Sequence, residues 1–406
     1  MTTWFHRFRS TAELKKTLEE IGCDPGALPY FNDRRDLTAL RISDVDTRAA
    51  NALKQEMLSR GGDVAVHRHA IDRGIERCDC LLFGTDKQIA HLAEKLVVMP
   101  YWGLDQVRKE ILDAMAGKRK RRRLLTLPGN KVLQLGDRTK LMAIVNLTED
   151  SFFSKSRAGS TSECLKRVET MIEDGADMLD LGAESTRPGS LPAEAETEIS
   201  RLVPAVESIR KEFPHLPISI DTTKSEVARA CVDAGADILN DISGLGFDPE
   251  LASVAATSGT PLVIMHMKGV PRTMQREPHY GCLQKEICDY FRERTKLANK
   301  AGVPEGQIIL DPGIGFGKTA SHNLDLLSHN EFFRSLGSPI LIGHSRKSVF
   351  GAVLKGAPTE ERLEATLAGT ALCAWQGVEI IRVHDVKANR RVLDTIEAMK
   401  DPDRVD

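Results

Sequence analysis

The stretch GADMLD, Gly175 to Asp180, returns as GADILN at 235–240 and as GVEIIR at 377–382. Each copy runs from a helix-ending Gly through a small residue and an acid to two apolar residues and a polar one. A Gly there suits a left-handed helix C-cap, and the apolar pair starts a strand at once. Working outward, short apolar segments bounded by Gly, Pro or Asp recur at 141–146, 177–182, 217–221, 237–241, 261–266, 307–311, 339–344 and 379–384. Segments apolar throughout are those of parallel strands buried on both faces. Between them run helical spacings such as Leu165, Val168 and Ile172, or Val227 with Cys231 beside Ala228 with Val232, each a single apolar stripe. Eight βα units in about 270 residues predict an α/β fold, a (β/α)8 TIM barrel. Strands of equal character leave no obvious edge, as an open doubly wound sheet would require.

Residues 1–117 read differently, with helical patterns near 11–21, 46–59, 86–97 and 105–116 and strand-like LTALRI, DVAVHR and CLLFG. A smaller α/β domain of unassigned role is therefore expected ahead of the barrel. GKRKRRR, Gly117 to Arg123, ends in six consecutive basic residues. Such a run repels itself and stays solvated, so 118–130 is expected to be a basic linker, with 131–406 forming the barrel after a polar hairpin in KVLQLGDRTK. His67 and His69, or Cys78 and Cys80, could each offer a zinc pair, although their irregular spacing better suits alternation on half-buried strands.

With 56 Lys and Arg against 58 Asp and Glu, the 406-residue chain has no overall field to recruit nucleic acid or an anionic membrane. A hydrophobic content of 41% with 28% charged residues is ordinary for a globular protein. Eight scattered cysteines without CxxC spacing, a start (MTTWFHRFRS) too polar for a signal peptide and no apolar run near ~20 residues point to the cytoplasm.

Barrel enzymes build their sites at the C-terminal ends of the strands. Here those ends carry Asn146, Asp180, Asp221, Asn240 with Asp241, His266, Asp311, His344 with Ser345, and Arg382 with His384. All are polar. Two carboxylates and an Asn converging there could hold a flat heterocycle with an amino-amidine edge. GHSRKS and RVHDV gather Arg346, Lys347, Arg382 and His384 where barrels commonly bind phosphate. ILDPGIGFGKT, 309–319, mimics a phosphate loop but has Pro312 where a P-loop needs its first Gly. GHSRK lacks the final Gly of a nucleophile elbow, so Ser345 is read as a hydrogen-bond donor.

From Lys131 onward the chain resembles the dihydropteroate synthases. The likeness rests on NLTEDSF (146–152), ESTRPGS (184–190), IDTTK (220–224), LNDISG (239–244), MHMKGVPRTMQ (265–275), LDPGIGFGKT (310–319), SRKS (345–348) and RVHDV (382–386), in order. It implies condensation of 6-hydroxymethyl-7,8-dihydropterin diphosphate with p-aminobenzoate, releasing pyrophosphate, by a cytoplasmic homodimer built through the last barrel helices. Carried over by position, Asp221, Asn240, Asp311 and Lys347 would hold the pterin. Thr186, and Arg382 with His384, would meet the diphosphate, and Asn146 a Mg2+ shared with it, with Arg187 a further substrate-binding residue. Pro188, Phe316 and Ser345 would border the aminobenzoate, with Asp221, Lys347, Arg382 and His384 bearing the catalysis and His266 in reserve as a proton carrier. Two other readings compete: a methyl transfer enzyme using a methyltetrahydropterin, and a non-catalytic pterin-binding protein. Glu149 stands where the family usually has Pro, which implies weakened sulfonamide binding.

Overall fold

The computed structural model describes residues 2–3, 11–24, 26, 28–34, 36–119, 122–147, 157–184, 193–270 and 273–401. The chain divides into two compact units, Met1–Ala116 and Gly117–Asp406.

In the first unit β1 (Thr38–Asp46), β2 (Asp63–Ala65) and β3 (Arg77–Gly84) form an antiparallel sheet with β3 in the middle. Helices Thr47–Leu58 and Asp86–Leu96 bury Leu53, Met57, Ile89 and Leu92 in its core. Thr85 and Gln88 form a reciprocal capping box that starts the second helix. The strand through DVAVHR stops at Ala65, and His67 instead caps a short turn by accepting the backbone N–H of His69. Among the described residues no cluster of three or more His, Cys, Asp or Glu could hold a metal ion.

The second unit is the expected barrel. Its strands are β6 (Lys140–Asn146), β7 (Met178–Gly182), β8 (Ile218–Asp221), β9 (Ile238–Asp241), β10 (Leu262–Met265), β11 (Ile308–Asp311), β12 (Leu341–Gly343) and β13 (Ile380–Val383). All eight sequence segments became strands. Neighbours pair in parallel in the order β11-β10-β9-β8-β7-β6-β13-β12, and a bridge between Leu310 and Ile340 closes the ring.

The repeated acid of GADMLD, GADILN and GVEIIR has one task in all three copies. Asp177 accepts the backbone N–H of Leu141 at 2.8 Å, Asp237 that of Ile218 at 2.9 Å, and Glu379 that of Ile340 at 2.9 Å. Each acid thus satisfies a backbone amide at the start of the neighbouring strand. Arg138 and Arg390 sit on Asp177, and Lys131 and Arg210 on Asp237.

The segment 118–130 is not a solvated linker over its described residues. Arg123–Leu127 forms β4, which pairs antiparallel with β5 (Lys131–Leu135). Arg123 is buried and donates to the carbonyl of Gly337. The hairpin is also not polar on both faces: Leu124 and Val132 are exposed, while Leu125, Leu127, Leu133 and Leu135 are buried. Those four leucines join Met142, Met178, Ile238, Val263, Ile309, Leu341 and Ile380 in one cluster, so the hairpin floors the barrel at the strand starts. Gln307 clamps it by accepting from the N–H of Thr126 at 3.1 Å and donating to its carbonyl at 2.6 Å. The charge run masked the two-residue alternation of LLTL and VLQL that carries this signal. Among the described residues no helix is long and apolar enough to cross a membrane.

Leu135→Ala opens a cavity in this floor and is expected to cost about 2–5 kcal/mol. Urea denaturation checks it, and a loss under about 0.5 kcal/mol would mean that the leucine is not part of the sealed core.

Candidate active site

Side chains on a strand alternate between faces, so a residue two places beyond a floor residue points into the same interior. Counting two from Met178, Ile238, Val263, Ile309 and Ile380 gives Asp180, Asn240, Met265, Asp311 and Arg382. In β8 the interior row is Ser219 and then Asp221. The polar layer of the site therefore lies directly above the apolar floor. The intervening residues, among them Leu179, Leu181, Leu239, Ile264, Leu310 and Ile381, pack outward in the larger core with the helices.

Arg382 lies at the centre of this layer. Its Nε donates to Asp180 at 2.5 Å and its Nη2 to Asp221 at 2.8 Å. Asp180, fully buried, also accepts from the Asn240 amide at 3.1 Å. One Asp180 oxygen and the Asn240 amide oxygen are buried without a hydrogen-bond partner. Two orphaned acceptors side by side ask for a ligand that brings N–H donors.

Burial opposes the charge of Arg382, but Asp180 and Asp221 outweigh it and keep the guanidinium firmly protonated. Burial pushes the Asp221 carboxyl up to about 7 against the pull of Arg382, with Asp180, Glu198 and Asp241 adding repulsion. Asp311 is raised by burial, although Lys347 and the Gly313 N–H, 2.7 Å from its carboxylate, oppose the rise. Lys347 is drawn down to about 8 by burial, partly offset by Asp311 and Asp221.

The rim follows. Lys347 donates to the carbonyl of Ile314, and its ammonium lies 4.4 Å over the Phe316 ring. Ser345 accepts the backbone N–H of His384 at 3.2 Å and lies 3.0 Å from its Nδ1. Burial, then Arg382, lowers the His384 imidazole to about 4, so it is neutral near pH 7. Phe316 forms an apolar wall with Met265 and Met274, backed by Ile242 and Met267. Asn146 ends β6 exposed at the mouth, paired with Gly182, which in turn pairs with Asp221.

Asp221, Asn240, Asp311, Phe316, Ser345, Lys347, Arg382 and His384 thus gather around one mouth, with Asn146 at its edge. Thr186, Arg187 and Pro188, with Glu149, lie outside the described residues. Several strand-end residues serve elsewhere. Asp241 caps its own loop by accepting from the Ser243 and Leu245 amides, and His344 points outward to Thr366 and Thr370. Arg346, expected in the anion pocket, grips Asp385 with two bonds and the carbonyls of Thr359 and Glu360. His266 is buried beside Lys318 and pushed down to about 2, mainly by burial, so its imidazole is neutral near pH 7 and its Nδ1 is turned to the Lys318 amine. Asp180, named only as a strand end in the sequence, emerges as the main partner of Arg382; its signal was its place two residues beyond an apolar floor residue.

A family model described as pterin binding enzyme matches residues 142–384, and the chain belongs to that family. Relatives that match this part of the chain include dihydropteroate synthases. That of Escherichia coli is 42% identical over 64% of this chain and 89% of its own length. The Yersinia pestis dihydropteroate synthase, solved with a sulfonamide drug complex, superposes with a TM-score of 0.63 at 36% identity, covering 69% of this chain and 99% of its own. That of Xanthomonas albilineans, solved with 4-aminobenzoic acid, gives 0.62 at 35% identity over 68% and 98%. A Haloferax volcanii protein described as a probable bifunctional folylpolyglutamate synthase/dihydropteroate synthase is 36% identical over 99% of this chain, so the likeness extends into the first unit. The chain spans only 49% of that protein and 42% of a Halobacterium salinarum relative of the same description.

Because Asp221 titrates at about 7 when folded against an ordinary 3.8, the folded protein holds more protons than the unfolded chain between those values. That contribution is complete below 3.8 and is lost as pH rises through about 7. Wild type is therefore expected to lose stability relative to Asp221→Asn across that window. Melting temperatures of the two at a series of pH values check this, and a constant gap would refute the raised carboxyl.

Proposed function

We propose that the chain is a dihydropteroate synthase, a transferase joining 6-hydroxymethyl-7,8-dihydropterin diphosphate to p-aminobenzoate and releasing pyrophosphate. The observation that carries this is the pair of orphaned acceptors on Asp180 and Asn240 beside the Arg382 bridge. A pterin edge rich in N–H donors suits those acceptors, with Asp221, Asp311 and Lys347 around the ring. Arg382, held protonated by its two carboxylates, and neutral His384 would meet the departing diphosphate.

In the reaction the bond between the pterin methylene and the diphosphate oxygen breaks, and the diphosphate keeps the electron pair. The arylamine nitrogen then forms the new bond to that carbon and sheds a proton to solvent. Stabilising the charge that grows on the leaving group is the main catalytic effect. Asp221 offsets the positive charge left on the methylene, while Phe316 and Ser345 border the aminobenzoate and hold the amine in line. Mg2+ suits this site as a shared ion: the Asn146 amide supplies one hard oxygen, and Mg2+ commonly takes its remaining ligands from substrate phosphate and water. Bound there, it would neutralise diphosphate charge.

The eight cysteines are all free thiols, which fits a reducing cytoplasm. A homodimer through helices Leu363–Gln376 and Val386–Lys400 is supported by exposed Leu372 and Trp375 on the first of them.

Full-length protein given the pterin diphosphate and Mg2+ is expected to release pyrophosphate when p-aminobenzoate is added, and to stop when the metal is chelated. Arg382→Ala should lower kcat/KM by about 100-fold or more. A pyrophosphate assay checks both, and absence of release by the wild type would overturn the assignment.

A further inference from the structure

The loop that follows β11 inverts the usual bookkeeping of backbone carbonyls. Five in a row are satisfied by side chains: Gly313 and Phe316 by Lys318, Ile314 by Lys347, Gly315 by Gln275 and Gly317 by Tyr280. Gly313 and Gly317 both have positive φ, at 66° and 63°. A Cβ on either would strike a carbonyl oxygen of the β10 loop, that of His266 or of Lys268. The loop is thus pressed backbone to backbone against its neighbour, and Lys318 fills the seam.

Lys318 is 2% exposed, and its amine is held by carbonyls and a ring nitrogen. Its Nζ lies 2.9 Å from the carbonyl of Phe316, 3.0 Å from that of Gly313, 3.3 Å from that of His266 and 2.9 Å from His266 Nδ1. An ammonium can donate three hydrogens to this group and a neutral amine only two. Burial holds the Lys318 amine well below its usual range, against the pull of the Asp311 carboxylate. With His266 unprotonated, its Nδ1 serves as an acceptor, which fixes the ring with its proton on Nε2.

We propose that Lys318 is a positioning residue for the arylamine half of the site. Its amine ties the β10 loop to both ends of the turn that presents Phe316 under Lys347. Lys318 touches no substrate in this arrangement. Its influence passes through the Phe316 wall, whereas the Asp180, Asn240 and Arg382 layer is held by bonds that do not involve it.

This rests on the synthase reading above, and the test separates the two. Steady-state kinetics of full-length wild type and Lys318→Met are measured with each substrate varied in turn. The expected result is a rise of about tenfold in KM for p-aminobenzoate, with KM for the pterin diphosphate changed less than about threefold. Equal shifts for both substrates, or none for either, overturn the positioning role. An inactive wild type overturns the synthase reading instead. Should Lys318→Met fail to fold, His266→Ala and His266→Asn take its place. The Asn amide oxygen can stand in for Nδ1, so it should reverse the aminobenzoate-selective loss seen with Ala, and equal kinetics in both variants would again count against the proposal.

Discussion

Residues two apart on a strand share a face, and in a closed barrel one of those faces is the interior. Most of this site follows from that constraint. Met178, Ile238, Ile309 and Ile380 seal the floor with the leucines of the hairpin. Asp180, Asn240, Asp311 and Arg382 then have no other direction to point. The closing contact between Leu310 and Ile340 matters for the same reason, since an open sheet would splay β11 from β12 and separate Asp311 from Lys347.

Charges placed in such a layer need one another. Arg382 is held between Asp180 and Asp221, and removing one partner from a buried pair typically costs about 3–5 kcal/mol because the other charge is left stranded. The pairing is incomplete by design of the fold: Asp180 and Asn240 each keep an unpartnered acceptor, and Asp221 is pushed toward its neutral form. Free energy that would otherwise stabilise the empty protein is thereby reserved for binding.

The barrel was legible because its strands are short, mostly apolar and separated by repeated Gly-acid signals, and its rim because a polar residue lies at or within two places of every strand's C-terminal end. The phase of the alternation was harder to read. Asn240 and Asp241 are adjacent, yet one enters the cup and the other caps a loop; His344 and Ser345 divide in the same way. Sequence shows both as polar and does not say which faces inward. The floor hairpin was hidden by six basic residues whose last member, Arg123, is buried. Lys318 was hidden for another reason: its partners are mostly carbonyl oxygens, which every residue possesses and no sequence pattern reports.

The leucine floor also dictates traffic. With the strand starts stoppered by leucine, the layer of Asp180, Asn240 and Arg382 is approached from the strand ends, past the Phe316 wall. On the synthase reading proposed above, the pterin half would then be the deeper guest and the aminobenzoate half the shallower one.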